Sequence, residues 1–272
     1  MTHLRVPVVL IVYNRPDLTW RTFEEVARAK PLRLFVVADG PRVGNPDDAA
    51  LCREVRRILD AVTWECEVTP ILADTNLGCR ARVVSGLDAV FEQVEEAIIL
   101  ADDCLPDPDF FSFCCGLLER HRDDDVVKMI SGMSYLGVQP PSGEDRDFLY
   151  SRYFAIWGWA TWRRAWRQYD PLMRDWPELR ATRALAKIYR TEAAVSQMTH
   201  EFDAVYSGAV DTWDIQWFYS CLVAGGLACV PSVNLVSNVG VSGAHAGGMS
   251  RFHFLPTFPP SRPGAPQGPE VV

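Results

Sequence analysis

The sequence predicts an α/β fold with a mainly parallel sheet flanked by helices. The first observation is the apolar run VPVVLIVY at residues 6–13, whose β-branched residues are typical of a strand buried on both faces. The second is that similar runs alternate with segments of helical apolar spacing. The third is that turn residues follow the first two runs, NRPD and then GPR. Such alternation predicts a doubly wound sheet, whose ligands bind beyond the carboxyl ends of the strands.

The elements of the first 110 residues can be assigned in order. Four strands are predicted within the segments VPVVLIVY, LRLFVVADGPR, ECEVTPILAD and EEAIILADD. Helices connect them, and the last has apolar residues at Val83, Leu87, Val90 and Val94. These helices are predicted at residues 17–29, 47–62 and 79–95.

The second half of the chain differs in composition. Aromatic residues concentrate in YSRYFAIWGWATWRRAWRQYD, a helical stretch continues to about residue 206, and ACVPSVNLVSN is the last predicted strand. No internal repeat or clean linker divides the chain. We therefore predict one compact domain over residues 1–255, followed by a disordered Pro/Gly-rich tail over residues 256–272.

Composition excludes several classes of protein. The formal net charge of −8 over 272 residues argues against binding nucleic acid, which requires clustered basic side chains. The eight cysteines contain no CxxC pair, so we expect free thiols in a reducing compartment. No apolar run approaches the roughly 20 residues of a transmembrane segment, and the predicted location is cytoplasmic.

Polar side chains follow three of the predicted strands where each strand ends: Asn14 with Arg15, Asp39, and Asp102 with Asp103. No Gly-rich GxGxxG or GxxxxGK[ST] loop follows the first strand, which removes the usual dinucleotide and P-loop sites. Adjacent carboxylates at this edge suit Mg²⁺ or Mn²⁺, completed by diphosphate oxygens and water. The alternative is that the aspartates only cap a helix starting near Pro108.

An ordered set of motifs resembles a known family. The set resembles bacterial GT-A fold glycosyltransferases termed hemolytic protein HlpA-like, and more distantly the N-acetylglucosaminyltransferases that begin complex N-glycan branching. The similarity covers residues 6 to about 248. The motifs are YNRPD, VVADGP, TNLGCRARV, ADDCLPDPDFF, WGWATWRRAW, DTWDIQW and NLVSNVGVSGAH.

The resemblance implies a metal-dependent, inverting transferase that uses a UDP-sugar, either UDP-GlcNAc or another UDP-hexose. Residues 1–110 would bind the donor and residues 111–255 the acceptor. Asp103 would hold Mn²⁺ or Mg²⁺, and Asp102 would contact the ribose or sugar of the donor. The chain departs from the family at Ala101, where a glutamate is expected.

The resemblance extends to other residues of the donor site. Asp39 matches the aspartate placed against uridine, and Arg15, beside Asn14, matches a basic residue near the base and phosphates. Asn76 and Arg80 open the helix before the metal strand, where they would bind donor phosphate or cap that helix. The alternatives are a turn residue for Asp39 and a solvated charge for Arg15.

By the same resemblance, the segment WGWATW would lie beside the acceptor. Gly158 permits close backbone approach and leaves the indoles of Trp157 and Trp159 free to stack on sugar C–H surfaces. Trp162 is predicted to belong to the core. A core position is the alternative for Trp157 and Trp159.

Two aspartates are candidates for the general base. Asp211 is predicted to be the N-cap of an apolar helix, with Asp214 in its first turn. By the resemblance Asp214 is the base that takes the proton of the acceptor hydroxyl, with Asp211 as the fallback. His245, in a Gly-rich stretch, is either a contact to the metal or diphosphate or a free loop residue.

Two other functions compete with the transferase. A sugar-phosphate nucleotidylyltransferase would share the sheet and metal but require a Gly-rich basic loop after the first strand. A degenerate protein that only binds sugar nucleotide or glycan is suggested by Ala101 alone. The acceptor stays open between a glycan, a lipid-linked molecule and a small molecule.

Overall fold

Ten strands form two sheets in the structure, a computed structural model that describes residues 3–134, 147–240, 255–257 and 266. Eight strands make a mainly parallel sheet, and β5 and β10 pair separately as a short antiparallel ribbon. The strands are β1 (Val8–Val12), β2 (Arg33–Ala38), β3 (Glu67–Leu72), β4 (Glu96–Ala101), β5 (Cys104–Pro106), β6 (Val127–Ser131), β7 (Phe148–Ser151), β8 (Trp159–Trp162), β9 (Leu227–Pro231) and β10 (Val236–Asn238).

Helices connect and cover these strands, and side chains at their first turns fix where several begin. Asn45 accepts from the backbone N–H of Asp48, and Asp107 accepts from that of Asp109, as N-caps do. None of the described helices is long and apolar enough to cross a bilayer. The helices are α1 (Pro16–Ala29), α2 (Pro46–Arg56), α3 (Cys79–Phe91), α4 (Pro108–Arg120), α5 (Arg163–Trp166), α6 (Trp176–Ala181), α7 (Glu192–Tyr206) and α8 (Asp214–Val223).

The order of the large sheet places a crevice between β1 and β4. The strands run in the order β3-β2-β1-β4-β8-β6-β9-β7, and β1 is parallel to both of its neighbours. The chain builds outward from β1 to β3 and then returns to the other side of β1, so the connections from β1 and β4 leave in opposite directions. Such a switch point is where open α/β sheets bind ligands.

The sheet is buried on both faces, as the continuous apolar runs indicate. In β1, Val9 packs into one core while Val8, Leu10 and Val12 pack into the other. The predicted α/β class with a mainly parallel, helix-flanked sheet is therefore confirmed. None of the eight cysteines, all within the described residues, forms a disulfide, in agreement with the expected free thiols.

Two predicted elements have different limits in the structure. The helix expected over residues 47–62 ends at Arg56 and continues only as a 3₁₀ turn to Ala61. The last predicted strand is two strands, β9 and β10, which belong to different sheets. This division affects the candidate site, because β10 pairs with β5, the strand that directly follows Asp102 and Asp103.

Candidate active site

An ion pair spans the switch point between β1 and β4. Arg15 lies just after β1, and its guanidinium Nε donates to Asp102 Oδ2 at 3.1 Å. Nη2 of Arg15 pairs with Asp102 Oδ1 and lies 3.0 Å from Asp103 Oδ2. The two aspartates directly follow β4 and do not cap α4, because Asp107 occupies that position. The helix-capping alternative for the pair is therefore wrong.

The two carboxylates have different environments. The Asp102 side chain is 4% exposed, and burial raises its pKa to about 6 although the Arg15 charge opposes that shift. Burial alone would lower the pKa of Arg15, but the charges of Asp102 and Asp103 raise it above its ordinary value. Both oxygens of Asp102 are bonded to Arg15, which positions that guanidinium, and the contact of Asp102 with a donor stays a prediction.

Asp103 fits one position in the coordination shell of a hard divalent cation. Among the described residues its Oδ1 has only a weak contact, 3.6 Å from the thiol of Cys104, and the side chain is 15% exposed. Magnesium is commonly bound through one or two carboxylates together with substrate phosphates and water. The described residues contain no group of three or more His, Cys, Asp or Glu that could hold a metal ion. A metal would therefore need the ligand's oxygens to complete its shell.

The short ribbon of β5 and β10 packs a glycine against Asp103. The backbone N–H of Val239 donates to Asp103 O at 2.9 Å, and a Cβ at Gly240 would collide with Asp103 Oδ2. Only glycine therefore allows the backbone this close to the carboxylate. His245, the other predicted metal residue, lies outside the described residues.

Asp39, at the end of β2, organises the loop before α3. Its carboxylate accepts from the backbone N–H groups of Gly40, Leu77 and Gly78 at 2.8, 2.9 and 3.2 Å. The side-chain amide of Asn76 donates to it at 2.9 Å. The N-cap of α3 is Gly78, so the alternative that Asn76 or Arg80 caps this helix is wrong. The role of Asp39 against uridine stays a prediction.

Asn14 is also engaged within the protein. Its amide donates to Asp48 Oδ1 at 2.8 Å, and Tyr13 donates its hydroxyl to Asp48 Oδ2 at the same distance. Hydrogen bonds from Arg42, Tyr13 and Asn14 hold the pKa of Asp48 well below its usual range. This buried carboxylate fixes the loop after β1 against the first turn of α2.

An ion pair joins the two halves of the chain. Arg80, in the first turn of α3, lies 2.8 Å from Asp211 in the loop before α8. The prediction that Asp211 caps α8 is wrong, because the N-cap position is Trp213 and no side chain caps this helix. Asp211 is exposed and is positioned by Arg80 instead.

Asp214 begins α8, as its predicted place in the first turn requires, and lines a cavity of about 400 Å³. Its Oδ1 accepts from Thr212 Oγ1 and from the backbone N–H of Ile215 at 3.0 Å. Within the described part of the chain, Oδ2 makes no hydrogen bond. One oxygen is therefore fixed while the other is available to a ligand.

The half-buried thiol of Cys79 lies at the start of α3. Burial and the charges of Asp214, Asp211 and Asp39 together raise its pKa to about 11, and the charge of Arg15 opposes the shift. A thiol at the start of α3 is thus within electrostatic reach of residues from both halves.

Trp157 and Trp159 have different environments, one at the cavity and the other in the core. Trp157 lines the cavity beside Asp214. Gly158 has φ +62°, and a Cβ there would press on Val236, so this position requires glycine. The acceptor-site prediction is wrong for Trp159, which is 1% exposed and stacks on Trp213 with ring centroids 5.8 Å apart. The core assignment of Trp162 is confirmed.

Sequence reasoning missed Arg82, a buried cation in α3. Its guanidinium makes no hydrogen bond or ion pair within the described residues, and its Nε is sealed from water. Burial lowers the pKa of Arg82, and the charge of Asp39 opposes that shift. Gly86, one turn later, packs against Val37, and a Cβ there would lie 2.3 Å from Val37 Cγ1 and 3.3 Å from Arg82 Nη2. The sequence pattern that could have indicated a buried arginine is its position on the apolar face of a predicted helix, four residues before a glycine.

Comparisons with known proteins show low-level structural likeness. No protein-family model matches the chain, and no curated protein matches it. The chain is similar to a mannosyltransferase from Pyrobaculum calidifontis in complex with GDP-Man and Mn²⁺, at 16% identity and TM-score 0.37, over 59% of this chain but only 45% of that one. It is also similar to an inositol-1-phosphate CTP transferase from T. maritima, at 10% identity and TM-score 0.41, over 85% and 86% of the two chains. A UDP-glucose pyrophosphorylase complexed with UDP-glucose matches at 10% identity and TM-score 0.31, over 51% of this chain and 64% of that one. At these values the function must be argued from the geometry of the site.

Proposed function

We propose that the protein is a metal-dependent, inverting glycosyltransferase that moves a sugar from a UDP-sugar to an acceptor hydroxyl. The observation that carries the proposal is a carboxylate in each half of the chain that has an oxygen without a strong partner among the described residues. Asp103 has an oxygen free for a metal at the switch point, and Asp214 has an oxygen free toward a cavity. A donor site beside a base is the arrangement that group transfer to a hydroxyl requires.

The donor side would hold the diphosphate. Asp103 would bind Mn²⁺ or Mg²⁺, and the metal, when bound, would neutralise charge that develops on the departing diphosphate. Arg15 places a cation beside Asp103, and the unpaired guanidinium of Arg82 is a second cation in the same half. Asp39 and Asn76 would shape the nucleoside pocket through the loop that they hold together.

The acceptor side would supply the base. Asp214 Oδ2 takes the proton of the acceptor hydroxyl as that oxygen attacks C1 of the donor sugar. The bond between C1 and the diphosphate oxygen breaks, and its electron pair leaves with UDP. Attack from the side opposite the departing group inverts the configuration at C1. The bonds from Thr212 and Ile215 to Oδ1 keep the carboxylate oriented for this step.

The test is Mn²⁺-dependent release of UDP from a panel of UDP-sugars, with and without acceptors. Asp214→Asn should lower kcat about 10²–10⁴-fold, the range for loss of a general base. Asp211→Asn is the matched control, since it removes a carboxylate that faces Arg80 rather than the cavity. Calorimetry with UDP should give metal-dependent binding in the wild type and lose that dependence in Asp103→Ala.

Three outcomes would contradict the proposal. Equal UDP affinity with and without Mn²⁺, in wild type and Asp103→Ala alike, removes the metal site. Unchanged kcat in Asp214→Asn beside a collapse in Asp211→Asn moves the base to Asp211. Pyrophosphate release from a nucleoside triphosphate and a sugar phosphate, with no UDP-sugar consumed, makes the protein a nucleotidylyltransferase.

A further inference from the structure

The cavity beside Asp214 has a mostly apolar wall. Ten of its thirteen lining residues are aliphatic, aromatic or methionine, and the other three are Gln197, Glu201 and Asp214. Its volume of about 400 Å³ falls in the range of small-molecule sites, about 300–1,000 Å³. Such a wall favours the burial of carbon-rich surface over the burial of a hydroxyl-covered one.

Several polar groups at this wall are already paired within the protein. Gln197 donates to Glu201 Oε1 at 3.1 Å. The carbonyl oxygens of Met133 and Ala155 both accept from Ser131 Oγ, at 3.0 and 3.1 Å. A free sugar buried here would leave several of its hydroxyls without partners, which opposes binding.

The charges of the cavity oppose an anionic acceptor. Glu201 and Asp214 are both acidic, and no lysine or arginine belongs to the described lining. A phosphate or carboxylate in this space would meet like charge and no neutralising cation. The chemistry of the wall therefore separates three acceptor classes: uncharged apolar hydroxyl compounds, sugars and anions.

We infer that the acceptor is an uncharged, apolar alcohol or phenol; this inference rests on the proposed function. The ring or alkyl body of the acceptor packs against Ile156, Ile215 and Phe218, and its hydroxyl lies at Asp214. The proton of that hydroxyl passes to Asp214 Oδ2, the oxygen bonds to C1 of the sugar, and UDP departs with the electron pair of the broken bond.

The experiment compares three probes on the full chain: 2-naphthol, methyl α-mannoside and glucose 6-phosphate. Each is titrated by calorimetry with UDP and Mn²⁺ present, and each is then offered as acceptor with the UDP-sugar panel. We expect 2-naphthol to bind at least about tenfold more tightly than the other two, because the wall is mostly apolar and several of its polar groups are already paired. It should also be the acceptor that raises UDP release.

A matched pair of variants locates the binding. Ile156→Gln puts an amide on the half-buried wall and should weaken 2-naphthol binding about tenfold or more. Leu172→Gln makes the same kind of change at an exposed position away from the cavity and should leave binding and activity unchanged. The comparison of probes on the wild-type chain depends on neither variant.

The results separate the two proposals. Transfer to methyl α-mannoside with no binding of 2-naphthol overturns the acceptor class and leaves the glycosyltransferase in place. Binding of 2-naphthol with no UDP-sugar consumed overturns the glycosyltransferase, while the preference of the cavity stands. Equal loss of binding in Ile156→Gln and Leu172→Gln overturns the placement of the acceptor in this cavity.

Discussion

Replacing Arg15 with methionine should destabilise the protein and increase its demand for a divalent cation. The change keeps an unbranched side chain but removes the only guanidinium bonded to both Asp102 and Asp103 among the described residues. Two carboxylates, 4% and 15% exposed, would then be left without their cation. Removing one partner of a buried ion pair commonly costs about 3–5 kcal/mol, because a buried charge is left uncompensated.

The expected magnitude lies at the lower end of that range. The Arg15 side chain is 29% exposed, so water already screens part of the interaction. We therefore expect a loss of about 3 kcal/mol. At 2–4 °C per kcal/mol for a chain of this size class, the melting temperature should fall by roughly 6–12 °C.

The assay is urea and thermal unfolding of the wild type and Arg15→Met, with and without Mn²⁺. Manganese should raise the melting temperature of the variant more than that of the wild type, because a cation that binds only the folded state stabilises it. Adding Asp102→Asn to Arg15→Met should restore stability, since it removes one uncompensated charge. Arg183→Met removes an ion pair with Glu192 in which both side chains are exposed, and it should leave stability unchanged.

A loss below about 1 kcal/mol in Arg15→Met would show that the ion pair contributes as little as a surface pair. A further loss on adding Asp102→Asn would show that Asp102 has another partner of equal weight. Either result refutes the reasoning that Arg15 holds the aspartate pair.

Three other perturbations test other parts of the structure. Arg82→Met should raise the free energy of unfolding by about 1–3 kcal/mol, because it removes a buried charge that has no partner among the described residues. It should also weaken UDP binding about 10-fold or more. Lower stability with unchanged UDP affinity would show that Arg82 has a structural role only. Trp159→Ala should lower the free energy of unfolding in urea by about 3–5 kcal/mol, because it leaves a cavity in the core. Trp157→Ala should lower it clearly less and should raise the acceptor KM. Burial lowers the pKa of His121, so the folded state resists its protonation; stability should be complete above the unfolded pKa of about 6.5 and fall below it. His121→Gln should flatten that part of the pH profile of melting temperature, and an unchanged profile would assign it to another group.

The sequence by itself determined the class of the fold and the edge of the sheet that carries the candidate site. Short apolar runs rich in β-branched residues, such as residues 6–13, favour strands buried on both faces, and helices between such strands favour parallel pairing. Because parallel strands end at one edge, Arg15 and Asp103 could be assigned to the same crevice before any coordinates. Local chemistry likewise identified Asp214 in the first turn of its helix.

Tertiary structure decided which candidates are free to act. Trp157 and Trp159 are two residues apart and look alike in sequence, but β8 is an inner strand of the sheet and buries Trp159 against Trp213. Asp211 was expected to cap α8 and instead meets Arg80, which is distant in sequence. Hydrogen-bond partners and burial arise from segments that meet only in the folded chain, and no local pattern encodes them.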